Sequence, residues 1–134
     1  MASRIYALCA DLMFGSRLAE QASAAGERLE LVGEAATLNE RLAAAADEAS
    51  PVLLVVDLTD EALDGAGVVE SLLRGPRAGE LRTLGFYSHV DAAARERAER
   101  AGFDLVVPRS RMAREGPALM ARLLEASPAR RTSG

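Results

Sequence analysis

The sequence predicts an α/β protein: a doubly wound sheet of five parallel strands in the order 2-1-3-4-5, with helices on both faces. Three observations carry that prediction. Val52, Leu53, Leu54, Val55 and Val56 are five apolar residues in a row without alternation, the pattern of a strand buried on both faces between helix layers. Strand-length apolar stretches alternate five times with stretches of helical periodicity, which implies parallel strands joined by right-handed crossovers. The chain is 134 residues long and 49% hydrophobic, enough for one domain with a proper core. In such a sheet ligands gather at the carboxyl ends of the strands, beside the switch point between strands 1 and 3.

The elements follow in order. Arg4 to Ala10 reads as the first strand and ends at Asp11. The first helix is expected from Phe14 to Ala25, with Leu18, Ala22 and Ala25 on one face, and Gly26 stops it. Leu29 to Val32 is a short second strand. Thr37 or Asn39 caps a second helix that runs to Pro51. The third strand ends at Asp57. Three more acids follow by Asp64, and Gly65 permits a turn. A third helix covers Gly67 to Arg74 and ends at Gly75-Pro76. Thr83 to Tyr87 is the fourth strand. Asp91 caps a fourth helix whose Glu and Arg residues allow i,i+4 pairs, and Gly102 ends it. Phe103 to Val107 is the fifth strand. The fifth helix is expected to begin near Pro117, a favourable first-turn residue, with Leu119, Met120, Leu123 and Leu124 facing the core. The domain is expected over residues 1–126, with a polar tail over residues 127–134.

This topology brings sequence-distant polar residues to one edge: Asp11 after strand 1, Asp57 after strand 3, Ser88 and His89 after strand 4, and Arg109 after strand 5. Two carboxylates on one crevice suit a hard cation such as Mg²⁺, and the backbone carbonyl of Thr59 is a further candidate ligand. Ser88 can donate to a phosphate oxygen, and Arg109 can pair with one. A carboxylate can itself accept phosphorus, with the metal screening the repulsion. Each residue also has a plain reading. Asp11 can cap the first helix. Ser88 and His89 can be ordinary loop residues, and a lone histidine is a weak ligand signal. Arg109 and Arg111 can be solvated charges.

Composition removes several function classes. The net charge of −4 and pI near 5.1 oppose a nucleic-acid binder built on phosphate contacts. No apolar run approaches the ~20 residues that span a bilayer, and no signal peptide is evident. The single cysteine, Cys9, excludes an intramolecular disulfide and reads as a small buried residue. These features point to a cytoplasmic protein. Gly15 in MFGSR lacks the glycine pattern of a phosphate-binding loop. All 16 basic residues are arginine, so no lysine can serve the site.

The chain resembles the response-regulator receiver (CheY-like) family over Arg4 to Ala126. The likeness rests on Asp57 after a buried third strand, Asp64-Gly65, Ser88 ending the fourth strand, and AGFDLVVPRS around the fifth. DLMFGSRL, GFYSHVD and VVPRSRM are similar to stand-alone receiver-like proteins. The resemblance implies a flavodoxin-like fold, a phosphoacceptor at Asp57, Mg²⁺ held partly by Asp11, and a switch hydroxyl at Ser88. It also implies a histidine kinase and a downstream protein as partners, and a face of helix 4, strand 5 and helix 5 for protein contact or homodimerisation. Neither nucleic acid nor membrane is expected. The chain departs from the family's pattern at several places. Ala10 stands where receivers carry the first of two paired acids. Arg109 aligns with the family's lysine, Ser110 with the proline after it, and Pro108 falls one residue early. Val106 aligns with the aromatic switch residue, and Glu61 replaces a proline. An Arg109–Ser110 bond is expected to be trans, which aims Arg109 differently.

Three functions follow. The first is a single-domain receiver, not an enzyme, that accepts a phosphoryl group on Asp57 with weakly held Mg²⁺ and signals through protein contacts. The second is a pseudo-receiver, an interaction module that is not phosphorylated. The third is a metal-dependent phosphatase or hydrolase, for which His89 is the one candidate acid or base.

Overall fold

The computed structural model describes residues 3–45 and 51–125. A single sheet contains β1 (Ile5–Leu8), β2 (Leu29–Val32), β3 (Val52–Asp57), β4 (Leu81–Tyr87) and β5 (Leu105–Pro108). All neighbours are parallel and the order is β2-β1-β3-β4-β5, as the alternating pattern predicts. Every residue of β3 is buried, because β1 and β4 flank it in the plane and helices cover both faces.

Strand alternation divides the core in two. Ile5, Ala7, Leu53, Val55, Leu84 and Phe86 face the helices α1 (Leu12–Ala24) and α5 (Arg109–Glu125), and pack on Phe14, Leu18, Met112 and Met120. Tyr6, Leu8, Leu54, Val56 and Leu81 face the other way, onto Leu38 and Leu42 of α2 (Ala35–Ala44) and Val69 of α3 (Gly65–Leu73). The helix α4 (Ala92–Ala101) packs beside α3 and over β5. Each fully buried Leu, Val or Phe contributes about 1.5–3 kcal/mol.

Several boundaries differ from the sequence expectation, each for a physical reason. The fifth helix begins at Arg109, directly after β5, and contains Pro117 in its interior. Proline cannot donate to the carbonyl four residues back, here that of Ala113. The Gln21 side chain supplies the missing donor: its Nε2 reaches the carbonyls of Ala113 at 3.0 Å and Met112 at 3.1 Å. Gly116 makes room, since a Cβ there would overlap the Gln21 amide. The helix therefore runs through the proline. The second helix begins at Ala35, with Glu34 at its N-cap and no side-chain cap bond, so neither Thr37 nor Asn39 caps it. Its expected continuation over residues 46–50 lies outside the described residues, as does the tail. The fourth strand starts at Leu81, two residues early, because Arg82 is buried and turns its guanidinium to the carbonyls of Gly79 and Leu81. The fifth starts at Leu105. Phe103 packs on the α3 side of the core, and Asp104 closes the strand's entry, its carboxylate accepting from the Thr83 amide at 2.8 Å.

Gln21→Ala is expected to lower the unfolding free energy by about 1–3 kcal/mol, the cost of leaving a buried carbonyl without a donor. Urea denaturation reads this directly. A loss under about 0.5 kcal/mol would mean that the proline-freed carbonyl does not depend on Gln21.

Candidate functional site

Asp57 ends β3, where the strand leaves the sheet. Its register partner on β4 is Phe86, and only 4% of its surface is exposed. A buried carboxylate must be hydrogen-bonded or neutralised. The local chain provides the first bonds. Oδ1 accepts from the Thr59 backbone N–H at 2.8 Å and from the Thr59 hydroxyl at 2.6 Å. This is an Asx-type turn, in which an aspartate at the end of an element satisfies itself two residues on. Oδ2 faces β1, where the Cys9 thiol lies 3.6 Å away. The register explains that contact: Leu8 pairs with Val56, so the next residues along, Cys9 and Asp57, run side by side. Cys9 is 1% exposed. Burial pushes its thiol up to about 11, and the Asp57 and Asp11 carboxylates add to the rise. At neutral pH it is therefore an S–H group.

Asp11 occupies a different place. It is the N-cap of α1, and its Oδ1 accepts from the amides of Met13 at 3.0 Å and Phe14 at 3.1 Å. Its Oδ2 accepts from Arg109 Nη2 at 3.1 Å. The Phe14 amide and then the Arg109 guanidinium hold this carboxyl below the usual range. Arg109 also lies over the Phe14 ring, 4.3 Å from its centroid, and that ring meets Phe86 at 4.8 Å. The cation–aromatic contact is worth about 0.5–1 kcal/mol at an exposed position. Asp11 and Arg109, from opposite ends of the chain, thus fasten the start of α1 to the start of α5. They border an open cleft of about 570 Å³, with Arg17 and Ser110 on its wall.

Of the five residues expected at one crevice, Asp57, Asp11 and Arg109 fall into two separate groups, and Ser88 and His89 join neither. Cys9, Asp57 and Thr59 are one; Asp11, Phe14 and Arg109 are the other. Among the described residues, no hydrogen bond or ion pair joins Asp57 to Asp11, Arg109, Ser88 or His89. Ser88 is half-buried, and its backbone carbonyl accepts from the Asp91 amide at 2.8 Å. His89 is exposed. Thr59 meets Asp57 through its amide and hydroxyl, both donors. Cys9 and Phe14 are the residues that sequence reasoning passed over. The available signal was position: Cys9 follows β1 directly, beside Asp57 at the end of β3.

The donor set does not suit Mg²⁺. That ion takes oxygen ligands in octahedral geometry. Here one carboxylate is turned to a helix terminus, and the other is engaged by two donors and a thiol. No group of three or more His, Cys, Asp or Glu side chains able to hold a metal occurs among the described residues. No helix in that set is long and apolar enough to cross a membrane.

No family model matches this sequence, and no curated protein matches it. Solved structures do. NtrX from Brucella abortus, in complex with ADP, is 22% identical with a TM-score of 0.75; the match covers 99% of this chain and 28% of that one, so this chain spans under a third of NtrX. The receiver domain of the same NtrX is 18% identical with a TM-score of 0.73, covering 92% of this chain and 99% of the domain. The BeF3-activated DrrB receiver domain is 16% identical with a TM-score of 0.73, covering 94% and 100%. The fold is that of response-regulator receiver domains, flavodoxin-like in topology, as the resemblance implies.

Thr59→Val keeps the side-chain shape and removes the hydroxyl from Asp57. It is expected to cost about 1.5–3 kcal/mol, the range for a bond to a charged group, while Thr59→Ser stays within about 1 kcal/mol of wild type. Thermal and urea unfolding of the pair measure this. A loss confined to Thr59→Ser, with Thr59→Val near wild type, would show that the methyl group, not the hydroxyl, matters.

Proposed function

We propose that this chain is a receiver-type module of two-component signalling, not an enzyme, that works through protein contacts without Mg²⁺-assisted charging of Asp57. One observation carries the reading: Asp11 and Arg109 are bonded to each other, while Asp57 is enclosed by Thr59 and Cys9. A phosphoryl group adds roughly −1.5 to −2 charges and three acceptor oxygens. At Asp57 that charge would arrive beside a buried carboxylate with no bonded cation, so neither metal screening nor an arginine contact would offset it. The receiver fold of the neighbours supports the class of module. The surface supports contact as its mode of action: Leu12, Met13 and Val90 are 74%, 87% and 78% exposed, and all three follow the carboxyl ends of β1 and β4. Exposed apolar residues gathered at one edge are a common mark of a protein-binding surface.

A second reading keeps Asp57 as the phosphoacceptor of a histidine kinase, with a downstream protein reading the change. It is favoured by the position of Asp57 at the carboxyl end of the central strand, and by Oδ2, which among the described residues accepts only from a neutral thiol.

Intact-mass spectrometry after incubation with acetyl phosphate or phosphoramidate and Mg²⁺ separates the two. The expected result is no phosphoryl adduct on the wild-type chain. An adduct that forms on wild type and is absent in Asp57→Asn would establish the acceptor reading instead.

A further inference from the structure

Cys9 stands in the position from which a second carboxylate would face Asp57. It follows Leu8 on β1, and Leu8 is in register with Val56. Its Sγ is 3.6 Å from Asp57 Oδ2 and the same distance from the carbonyl oxygen of Asp11. Two carboxylate oxygens on adjacent corners of a Mg²⁺ octahedron lie about 2.9 Å apart, given ligand distances of about 2.0–2.1 Å. An aspartate at position 9 would put its Cγ where Sγ now lies, 3.6 Å from Asp57 Oδ2, so its carboxylate would border that oxygen on the existing backbone. The side chain at position 9 is what differs. A thiol carries no charge and is a soft ligand, which a hard cation such as Mg²⁺ disfavours. Asp11, two residues later, cannot substitute, because the helix has turned its carboxylate toward the amides of Met13 and Phe14.

We infer that Cys9 is the residue that sets the cation preference of this site: its side chain holds Asp57 Oδ2 in place of a divalent ion and so excludes Mg²⁺. This inference rests on the reading above and names the single side chain responsible. It predicts that one substitution, Cys9→Asp, creates a Mg²⁺ site on the existing backbone.

The full-length chain is titrated with MgCl₂ by calorimetry and by amide NMR, as wild type, Cys9→Asp, Cys9→Ala and Asp57→Asn. Wild type is expected to give no saturable binding and no shift at residues 9, 57 and 59. Cys9→Asp should bind at least about tenfold more tightly than Cys9→Ala, the scale on which a metal site responds to its supporting groups. Cys9→Ala removes the thiol without adding a ligand, so it separates an added carboxylate from a freed Oδ2. Saturable wild-type binding that disappears in Asp57→Asn would overturn the inference, whether or not Cys9→Asp folds. So would a folded Cys9→Asp chain with no gain over Cys9→Ala. A phosphoryl adduct on wild-type Asp57, in a chain that shows no saturable Mg²⁺ binding, would end the reading that the chain works without charging of Asp57 and leave the role of Cys9 intact, so the two fail separately.

Discussion

A carboxylate buried at the end of an apolar strand is the constraint on which the site depends. Asp57 ends a strand with no exposed residue, and an ionised group there is stable only if its oxygens are engaged. Two of the three donors come from Thr59, two residues away, and the third from Cys9 on the adjacent strand. The arrangement needs neither a metal nor a basic side chain. Once the carboxylate is satisfied this way, Asp11 and Arg109 are released for another task, and they take one.

That task is mechanical. Arg109 is the first residue of α5 and Asp11 caps α1. Their ion pair and the stacking on Phe14 bring the starts of the two helices together above the sheet edge. Further along, Gln21 in the last turns of α1 donates to the carbonyls of Met112 and Ala113, one turn into α5 and one turn before Pro117. The two contacts bind the first two turns of α5 to α1, and the helix starts directly at the end of β5 without an intervening loop. A residue following β5 in a free loop can reach toward Asp57; Arg109, held in the first turn of a helix and bonded to Asp11, points elsewhere.

The fold was largely legible in the residues. The unbroken apolar run of β3 marked the centre of the sheet, and Asp91, Gly26 and Gly102 marked helix ends where the backbone has its caps or positive φ. Errors came where a distant side chain overrode a local rule. Pro117 reads as a helix start by its own chemistry, and only Gln21, far away in sequence, lets the helix pass through it. Arg82 reads as polar and outside a strand, yet nearby carbonyls allow its burial. The site was legible as a set of strand-end positions, but not as a set of contacts. Strand order places Asp11, Asp57 and Arg109 at one edge, whereas pairing depends on side-chain direction. The turn into α1 aims Asp11 at its own helix, and the register of β1 on β3 aims Cys9 at Asp57. Neither direction is written in composition or spacing.

Asp57 is held by Thr59 and Cys9 rather than by a cation. The most direct measurement is the amide NMR spectrum of the protein in Mg²⁺, before and after addition of beryllofluoride, a mimic of a phosphoryl group on a carboxylate. Superimposable spectra around Asp57, Ser88 and Arg109 are expected. Shifts at those residues in wild type, absent in Asp57→Asn, would contradict that expectation, because they require a carboxylate oxygen open to an electrophile and a cation bound beside it.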